Sequence, residues 1–148
     1  MSKRILVAID GSECAQKALE QAIQIASAQS ARLCIANAVD EGPLAQHGMG
    51  LGTYMDIDKI KQEMRDASNA LLDHALAQAR SAGCQAERLL LESTFRRVAE
   101  MIAEAAKQWD ADLVVVGTHG RRGIERLLVG SVAENLLRLV SSSLLLVR

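Results

Sequence analysis

Short apolar runs alternate with amphipathic stretches from one end of this chain to the other, and no other feature restricts its fold as strongly. Apolar residues in the intervening stretches recur at the three- and four-residue spacing of α-helices. This alternation is typical of α/β proteins, in which helices cover both faces of a parallel sheet. The predicted strands are Ile5–Ile9, Leu33–Val39, Gln85–Leu91, Asp112–Val116 and Leu144–Val147, and the predicted helices span about Ser12–Ala28, Asp58–Ala82, Phe95–Trp109 and Ser131–Val140.

Size and composition favour one domain over residues 1–148 with an aliphatic core. The 148 residues contain no linker or low-complexity segment, and they are 49% hydrophobic but only 2% aromatic. The net charge of −1 gives no electrostatic basis for binding nucleic acid, and no apolar run approaches the roughly 20 residues of a membrane span. Cys34 lies in a predicted strand as a buried, reduced thiol, which favours a cytoplasmic location.

Two turns are predicted to meet at one place on the sheet. A doubly wound sheet of five strands commonly has the order 3-2-1-4-5, and ligands bind where that order reverses, between strands 1 and 4. The carboxyl end of strand 1 carries Asp10-Gly11-Ser12. The end of strand 4 carries Gly117-Thr118-His119-Gly120, followed after nine residues by Gly130-Ser131. The two turns are therefore expected to face each other across one crevice.

The glycine turn after strand 4 predicts a phosphate site. Glycine lets backbone N–H groups approach an anion closely and tolerates a positive φ. The apolar spacing after Ser131 predicts a helix with Ser131 as its cap and with its N-terminus directed at the ligand. Turn geometry and helix capping alone are the alternative. The strand–turn–helix context favours phosphate binding over that alternative.

With these turns in place, the chain resembles the universal stress protein family over essentially its whole length. The resemblance rests on Ile5–Ser12, on Asp112–Gly120 and on the pattern Gly117-x2-Gly120-x9-Gly130-Ser131. That pattern marks the ATP-binding branch of the family. The resemblance implies a 3-2-1-4-5 sheet, a homodimer and ATP held in the predicted crevice.

The resemblance also implies roles for single residues. Asp10, in its turn with Gly11 and Ser12, would contact the ribose–phosphate region, and Ala38 with Val39 would meet adenine through backbone groups. The residues implied around the phosphates are Gly117, Gly120, Gly130, Ser131 and Val132, with Thr118 and His119 alongside. The chain departs from the family at two turns: it has Glu92-Ser93-Thr94 where a glycine turn is frequent, and Ser141-Ser142-Ser143 where proline is frequent.

Asp10 and His119 each have two interpretations. Asp10 either shapes an Asx turn or contacts the ligand, and a ligand contact is favoured because the crevice requires a polar group there. Since a carboxylate repels phosphates, Asp10 would meet a hydroxyl, or a phosphate through Mg²⁺. His119 is assigned to loop structure or phosphate contact, because no serine or cysteine nucleophile is paired with it.

Two further segments each have two possible interpretations. Arg121, Arg122 and Arg126 either form a solvated loop or supply a charge clamp for the γ-phosphate. The segment Gly42–Gly52 is either a lid over the nucleotide or a plain connector. No metal cluster is predicted, because His47 and His74 fall in that segment and on a solvated helix position.

Strand 5 predicts the contact between subunits. Its residues Leu144, Leu145, Leu146 and Val147 lie at a sheet edge, and an exposed apolar edge invites pairing with another chain. Antiparallel pairing of two such edges around a two-fold axis would give a homodimer.

Three functions remain open from the sequence. The first is an ATP-binding stress protein that acts as a nucleotide-dependent switch or sensor toward an unknown protein partner. The second is a slow ATPase, phosphotransferase or adenylylating enzyme that uses Asp10 with Mg²⁺. The third is a dimeric scaffold without nucleotide. No catalytic residue is assigned, and the missing Walker A lysine argues against efficient hydrolysis. A backbone cradle does not distinguish ATP from ADP or AMP.

Overall fold

The computed structural model describes residues 2–41, 56–120 and 129–148, which form strands and helices in strict alternation. The strands are β1 (Arg4–Ala8), β2 (Arg32–Ala38), β3 (Gln85–Leu91), β4 (Leu113–Gly117) and β5 (Ser143–Val147), and the helices are α1 (Glu13–Gln29), α2 (Ile57–Ser81), α3 (Val98–Gln108) and α4 (Ser131–Leu139). No helix within these ranges is long and apolar enough to cross a bilayer.

The five strands form one parallel sheet in the order β3-β2-β1-β4-β5, as predicted. β1 is flanked by β2 and β4, and its residues Ile5 to Val7 are completely buried. This explains why the inner strands read as unbroken apolar runs, since parallel strands covered on both faces leave no position for polar alternation. The order places the carboxyl ends of β1 and β4 side by side.

Each face of the sheet has its own aliphatic cluster. One cluster packs β1 and β2 side chains against α1 and α2, with Leu19, Ile35 and Leu72 among its fully buried members. The other packs the opposite face against α3 and α4, around Val114 and Leu136. The largest fully buried side chains are aliphatic apart from Cys34. The predicted aliphatic core is therefore confirmed.

Helix α3 begins three residues later than predicted, at Val98 rather than Phe95. The Ser93 hydroxyl accepts hydrogen bonds from the backbone N–H groups of Phe95 and Arg96, which hold a turn that the helical pattern does not reveal. The Phe95 side chain is 96% exposed. Phe95 therefore lies on the surface and outside the helix, and the prediction that the helix starts at Phe95 is wrong.

Candidate functional site

The turn after β1 is held by its own side chains. Asp10 Oδ1 accepts a hydrogen bond from the Ser12 backbone N–H at 2.9 Å, and Gly11 has a φ of 85°. Ser12 then caps α1, because its hydroxyl accepts from the Ala15 N–H at 3.1 Å. The turn geometry considered from the sequence is therefore present, and it uses only one oxygen of the Asp10 carboxylate.

The second oxygen of Asp10 lies against the glycine loop of β4. A Cβ added at Gly120 would stand 2.8 Å from Asp10 Oδ2, closer than real Cβ contacts. The two predicted turns therefore meet, and a side chain at Gly120 would collide with the Asp10 carboxylate. A polar ligand bound at this end of the sheet would meet a carboxylate and main-chain groups together.

Gly117 serves the packing of a helix. A Cβ at this position would stand 2.9 Å from the Cys14 carbonyl carbon, which is backbone and cannot move aside. The first turn of α1 thus rests directly on the end of β4. This close approach explains the glycine by itself, without a ligand.

Thr118 and His119 form a small polar cluster with Cys14. The Thr118 hydroxyl lies 3.0 Å from His119 Nδ1 and 3.5 Å from the Cys14 sulfur. The Cys14 thiol donates to the Val147 carbonyl at 3.0 Å, and the Thr118 N–H donates to the same carbonyl at 2.8 Å. Burial acts to raise the pKa of the Cys14 thiol, but hydrogen bonds from Thr118 and His119 outweigh it, and the pKa lies below its usual value.

Cys14 was not singled out from the sequence. A usable signal is its position in the first helical turn after Asp10-Gly11-Ser12, since thiols near helix N-termini are more acidic. Its contacts with Thr118 and Val147 span more than a hundred residues, and no local pattern carries them.

Gly130, and not Ser131, is the N-cap of α4, so the prediction that Ser131 caps this helix is wrong. The Gly130 N–H donates to the Thr118 carbonyl at 2.6 Å, and a Cβ at Gly130 would stand 3.0 Å from that oxygen. The first intrahelical bond runs from the Glu134 N–H to the Gly130 carbonyl. The N–H groups of Ser131 and Val132 lie in the first turn of α4 and have no hydrogen-bond acceptor among the described residues.

At the end of β2, a side chain replaces one bond of the sheet. The Ile9 N–H donates to the Ala36 carbonyl at 2.8 Å, and the next ladder bond would join the Ala38 N–H to the Ile9 carbonyl. The Asn37 side-chain amide donates to that carbonyl instead, at 2.7 Å. β1 and β2 therefore separate here. The Ala38 N–H faces the gap, whereas the Val39 N–H donates to the Leu91 carbonyl of β3.

The turn that departs from the family pattern takes part in a polar network. Thr94 donates to the carboxylate of Glu41 at 3.1 Å, and Glu41, only 7% exposed, also pairs with Lys61 at 3.8 Å. Glu92 accepts two hydrogen bonds from Arg65, at 2.8 and 3.0 Å. The Arg65 guanidinium holds the pKa of Glu92 below its usual value. These contacts link the ends of β2 and β3 with α2.

Several predicted positions are not described. Arg121, Arg122 and Arg126 and the segment Gly42–Gly52, with His47, lie outside the described residues. His74 is exposed on α2, as predicted. Across residues 2–41, 56–120 and 129–148, no group of three or more histidine, cysteine, aspartate and glutamate side chains is arranged to hold a metal ion.

β5 lies at an edge of the sheet and pairs with β4 along its inner side. Its four apolar residues Leu144 to Val147 are half-buried, and they pack partly against the cores on both faces. The arrangement leaves an apolar edge strand open for pairing, which is the geometry that the predicted dimer requires.

Comparisons with known proteins agree with this architecture. The model of the universal stress protein family matches residues 1–148. The Universal stress protein YxiE of Bacillus subtilis (strain 168) is 31% identical over 151 residues, which cover 100% of each chain.

Two solved structures extend the comparison. A crystal structure of a protein from the universal stress protein family from Burkholderia pseudomallei has a TM-score of 0.78 at 32% identity and covers 98% of this chain and 95% of that one. A universal stress protein solved in complex with cAMP has a TM-score of 0.71 at 29% identity, covering 99% of this chain and 97% of that one.

Proposed function

Because the chain belongs to the universal stress protein family, we propose that it binds ATP in the crevice between β1 and β4 and acts as a nucleotide-dependent switch or sensor. The proposal covers residues 1–148 as one nucleotide-binding domain in the cytoplasm. A related protein solved with cAMP supports an adenine nucleotide as the ligand class.

One observation carries the proposal: the Asp10 carboxylate and Gly120 face each other with room for nothing larger than a hydrogen on the glycine. A carboxylate suits ribose hydroxyls, or a phosphate through Mg²⁺. The N–H groups of Ser131 and Val132 at the start of α4 suit the phosphates, because the helix end carries partial positive charge. The residues present therefore fit ATP with Mg²⁺.

The remaining predicted residues support this arrangement in different ways. The Ala38 N–H faces the gap between β1 and β2, where a base can accept from it, and Val39 lines the same end of the sheet. Gly117 and Gly130 shape the loop through their close contacts, while Thr118 and His119 stiffen it. Arg121 supplies the clamp for the γ-phosphate in this proposal.

The chemistry of the proposed phosphate site favours a switch over an enzyme. The sequence contains no Gly-x4-Gly-Lys-[Ser/Thr] motif, so no P-loop lysine stabilises a transferring phosphoryl group. The second candidate, a slow ATPase, phosphotransferase or adenylylating enzyme, is motivated by the position of Asp10 beside the loop. Single-turnover assays with labelled ATP separate the two. A chemical step at ordinary enzyme rates that is lost in Asp10→Ala, with binding retained, contradicts the switch.

Calorimetric titration with ATP, ADP, AMP and cAMP tests binding directly. Gly120→Val is expected to weaken ATP binding by about tenfold or more, because its side chain enters the space beside Asp10. Gly130→Val is expected to weaken it as well, by displacing the Thr118 carbonyl, while the dimer remains intact. Gly83→Asn is the matched control, since Gly83 ends α2 with open space around it and asparagine tolerates its φ of 83°.

Two results would contradict nucleotide binding at this site. If the wild-type protein shows no heat of binding with millimolar ATP, the scaffold without nucleotide replaces the proposal. If Gly120→Val and Gly130→Val both bind ATP as tightly as wild type, the nucleotide lies elsewhere. Native mass spectrometry of gently purified protein reports any co-purifying nucleotide and the number of subunits together.

A further inference from the structure

Among the helices of residues 2–41, 56–120 and 129–148, none covers the part of one sheet face that lies along β3. Leu89 and Leu91 of β3 pair with Ala36 and Ala38 of β2, and they share the face that α3 and α4 cover. α2 packs on the other face of β3, whereas α3 packs against β2 and α4. Leu89 and Leu91 consequently remain half-buried beside α3.

This arrangement creates a groove of about 510 Å³ between β3 and α3. Its floor is apolar, formed by Leu89 and Leu91 from the strand and by Met101 and Ala105 from the helix, and Trp109 stands at its end. Arg4 stacks on the Trp109 ring at 4.1 Å, and the indole N–H donates to Glu87, so the ring is held in place. The volume falls within the range of small-molecule sites, about 300 to 1,000 Å³.

The charged side chains along the groove, Arg96, Glu104 and Glu92, each have an oppositely charged partner within the protein. Arg96 forms an ion pair with Glu104, and the Gln108 side chain donates to the other carboxylate oxygen of Glu104 at 3.2 Å. Glu92 is paired with Arg65, and Ser93 accepts two backbone N–H groups. A charged ligand would have to compete with these ion pairs, whereas an uncharged apolar molecule leaves them intact and buries the floor.

The size of the groove argues against a helical partner. One turn of an α-helix, a cylinder about 10 Å across and 5.4 Å long, takes up roughly 420 Å³. A helix laid here would thus bury little more than one turn. We propose that the groove between β3 and α3 binds an uncharged small molecule with an apolar body, at a site separate from the nucleotide crevice.

Trp109 is the only tryptophan of the chain, so it reports on this groove. Titration with Nile red, an uncharged dye, is expected to give saturable one-to-one binding, read as a change in Trp109 fluorescence and as dye emission and anisotropy. The affinity for the anionic dye 1-anilinonaphthalene-8-sulfonate is expected to be lower than that for Nile red by about tenfold or more. The reason is that no unpaired cation lines the groove among the described residues. Saturating ATP should leave the Nile red affinity unchanged.

Three variants localise the site. Leu89→Arg places a charge on the floor and should weaken Nile red binding by about tenfold, whereas the control Leu137→Arg, at a 58% exposed leucine of α4, should change it by less than about twofold. Gln108→Phe fills the rim from an exposed position and should weaken binding even if Leu89→Arg unfolds.

Four results overturn the proposal. These are no saturable Nile red binding, tighter binding of the anionic dye, displacement of Nile red by ATP, and equal affinity in Gln108→Phe and wild type. If dye binding falls as the protein self-associates with rising concentration, a second copy of the chain is the occupant, and the small-molecule site is likewise excluded.

Discussion

At the scale of single residues, the proposed function gives Asp10 both of the roles that the sequence presents as alternatives. Its Oδ1 holds the turn before α1, while its Oδ2 lies at the position that a side chain on Gly120 would need. A carboxylate has two oxygens with separate acceptor directions, so structural and binding roles coexist in one side chain. Substitution of Asp10 is therefore expected to affect the α1 turn as well as the ligand, which is why Gly120 is the cleaner probe of binding.

Cys14 and Cys34 are expected to differ sharply in reactivity. Cys14 has a lowered pKa and is half-buried, whereas burial raises the pKa of the Cys34 thiol to about 12. Because the thiolate is the reactive form, iodoacetamide should label Cys14 first as the pH rises, and should label Cys34 only after unfolding. Peptide mapping by mass spectrometry over a pH series measures the order.

Thr118→Val removes the hydroxyl that lies beside the Cys14 sulfur and should shift its labelling curve to higher pH. An unshifted curve would mean that Thr118 does not set the acidity of this thiol. Faster labelling of Cys34 than of Cys14 in the folded protein would contradict the burial of Cys34.

The ion pair of Arg65 and Glu92 predicts a pH-dependent contribution to stability. Arg65 lowers the pKa of Glu92 in the folded protein, so the contribution is present above the ordinary glutamate pKa of about 4.3 and is lost as the pH falls through the folded value. Arg65→Gln should therefore lower the melting temperature at pH 7, and the difference from wild type should vanish in acid.

Thermal unfolding at several pH values measures this effect. Arg97→Gln is the control, because Arg97 forms no ion pair within the described part of the chain. A difference between Arg65→Gln and wild type that stays constant from pH 7 to acid would show that lost packing, and not charge, explains the change.

At the scale of elements, the contact of α1 with β4 depends on Gly117. A methyl group there would press against the backbone of Cys14 at 2.9 Å, so either the helix or the strand would have to shift. Gly117→Ala is expected to destabilise the protein by about 1–3 kcal/mol through overpacking. Ser12→Ala, which only removes the cap of α1, is expected to cost about 1 kcal/mol.

Urea unfolding of the two variants measures these free energies. If Gly117→Ala is as stable as wild type, α1 can shift without a loss in the free energy of unfolding. The glycine at position 117 would then have to be explained by the ligand instead of by packing. Adding the two substitutions together also tests coupling, since both act on the first turn of α1.

The order of elements was predictable because it is encoded locally. Apolar runs such as Leu113–Val116 and the helical spacing after Ser131 depend on neighbours within a few residues, and the rule for doubly wound sheets then fixes which strand ends meet. The turn of Asp10 and the loop of Gly120 were found in this way.

The contacts that complete the site were not predictable, since they join distant residues. The approach of Gly117 to Cys14, the bond of Thr94 to Glu41 and the replacement of a ladder bond by Asn37 each depend on the exact placement of neighbouring elements. The start of α3 was misplaced because the Ser93 turn imitates the beginning of a helix.

At the scale of the whole molecule, the pairing of β4 with β5 limits any contact between subunits. The Val147 carbonyl accepts the Thr118 N–H, so the backbone groups of Val147 and Leu145 face β4. Those of Leu144 and Leu146 then face outward. A homodimer through β5 would therefore use the outward-facing backbone N–H and C=O groups of Leu144 and Leu146 from each subunit for hydrogen bonds between the two strands.

Proline substitutions test this dimer. If the protein is a homodimer through β5, Leu146→Pro, which removes an outward N–H, should give a folded monomer, since proline is tolerated on an edge strand at such a position. Leu145→Pro removes an inward N–H and should instead destabilise the fold by breaking the ladder with β4. Light scattering after size exclusion, with thermal unfolding, distinguishes the two. If Leu146→Pro remains dimeric, the subunits meet elsewhere.

The Val147 carbonyl oxygen also joins three distant parts of the chain, because it accepts two hydrogen bonds from outside its own strand. It receives the thiol of Cys14 and the amide of Thr118, so the last strand, the first helix and the loop beside Asp10 share an anchor. If this shared carbonyl couples binding at the outer strand to binding in the crevice, reciprocity requires each event to change the affinity of the other by the same factor.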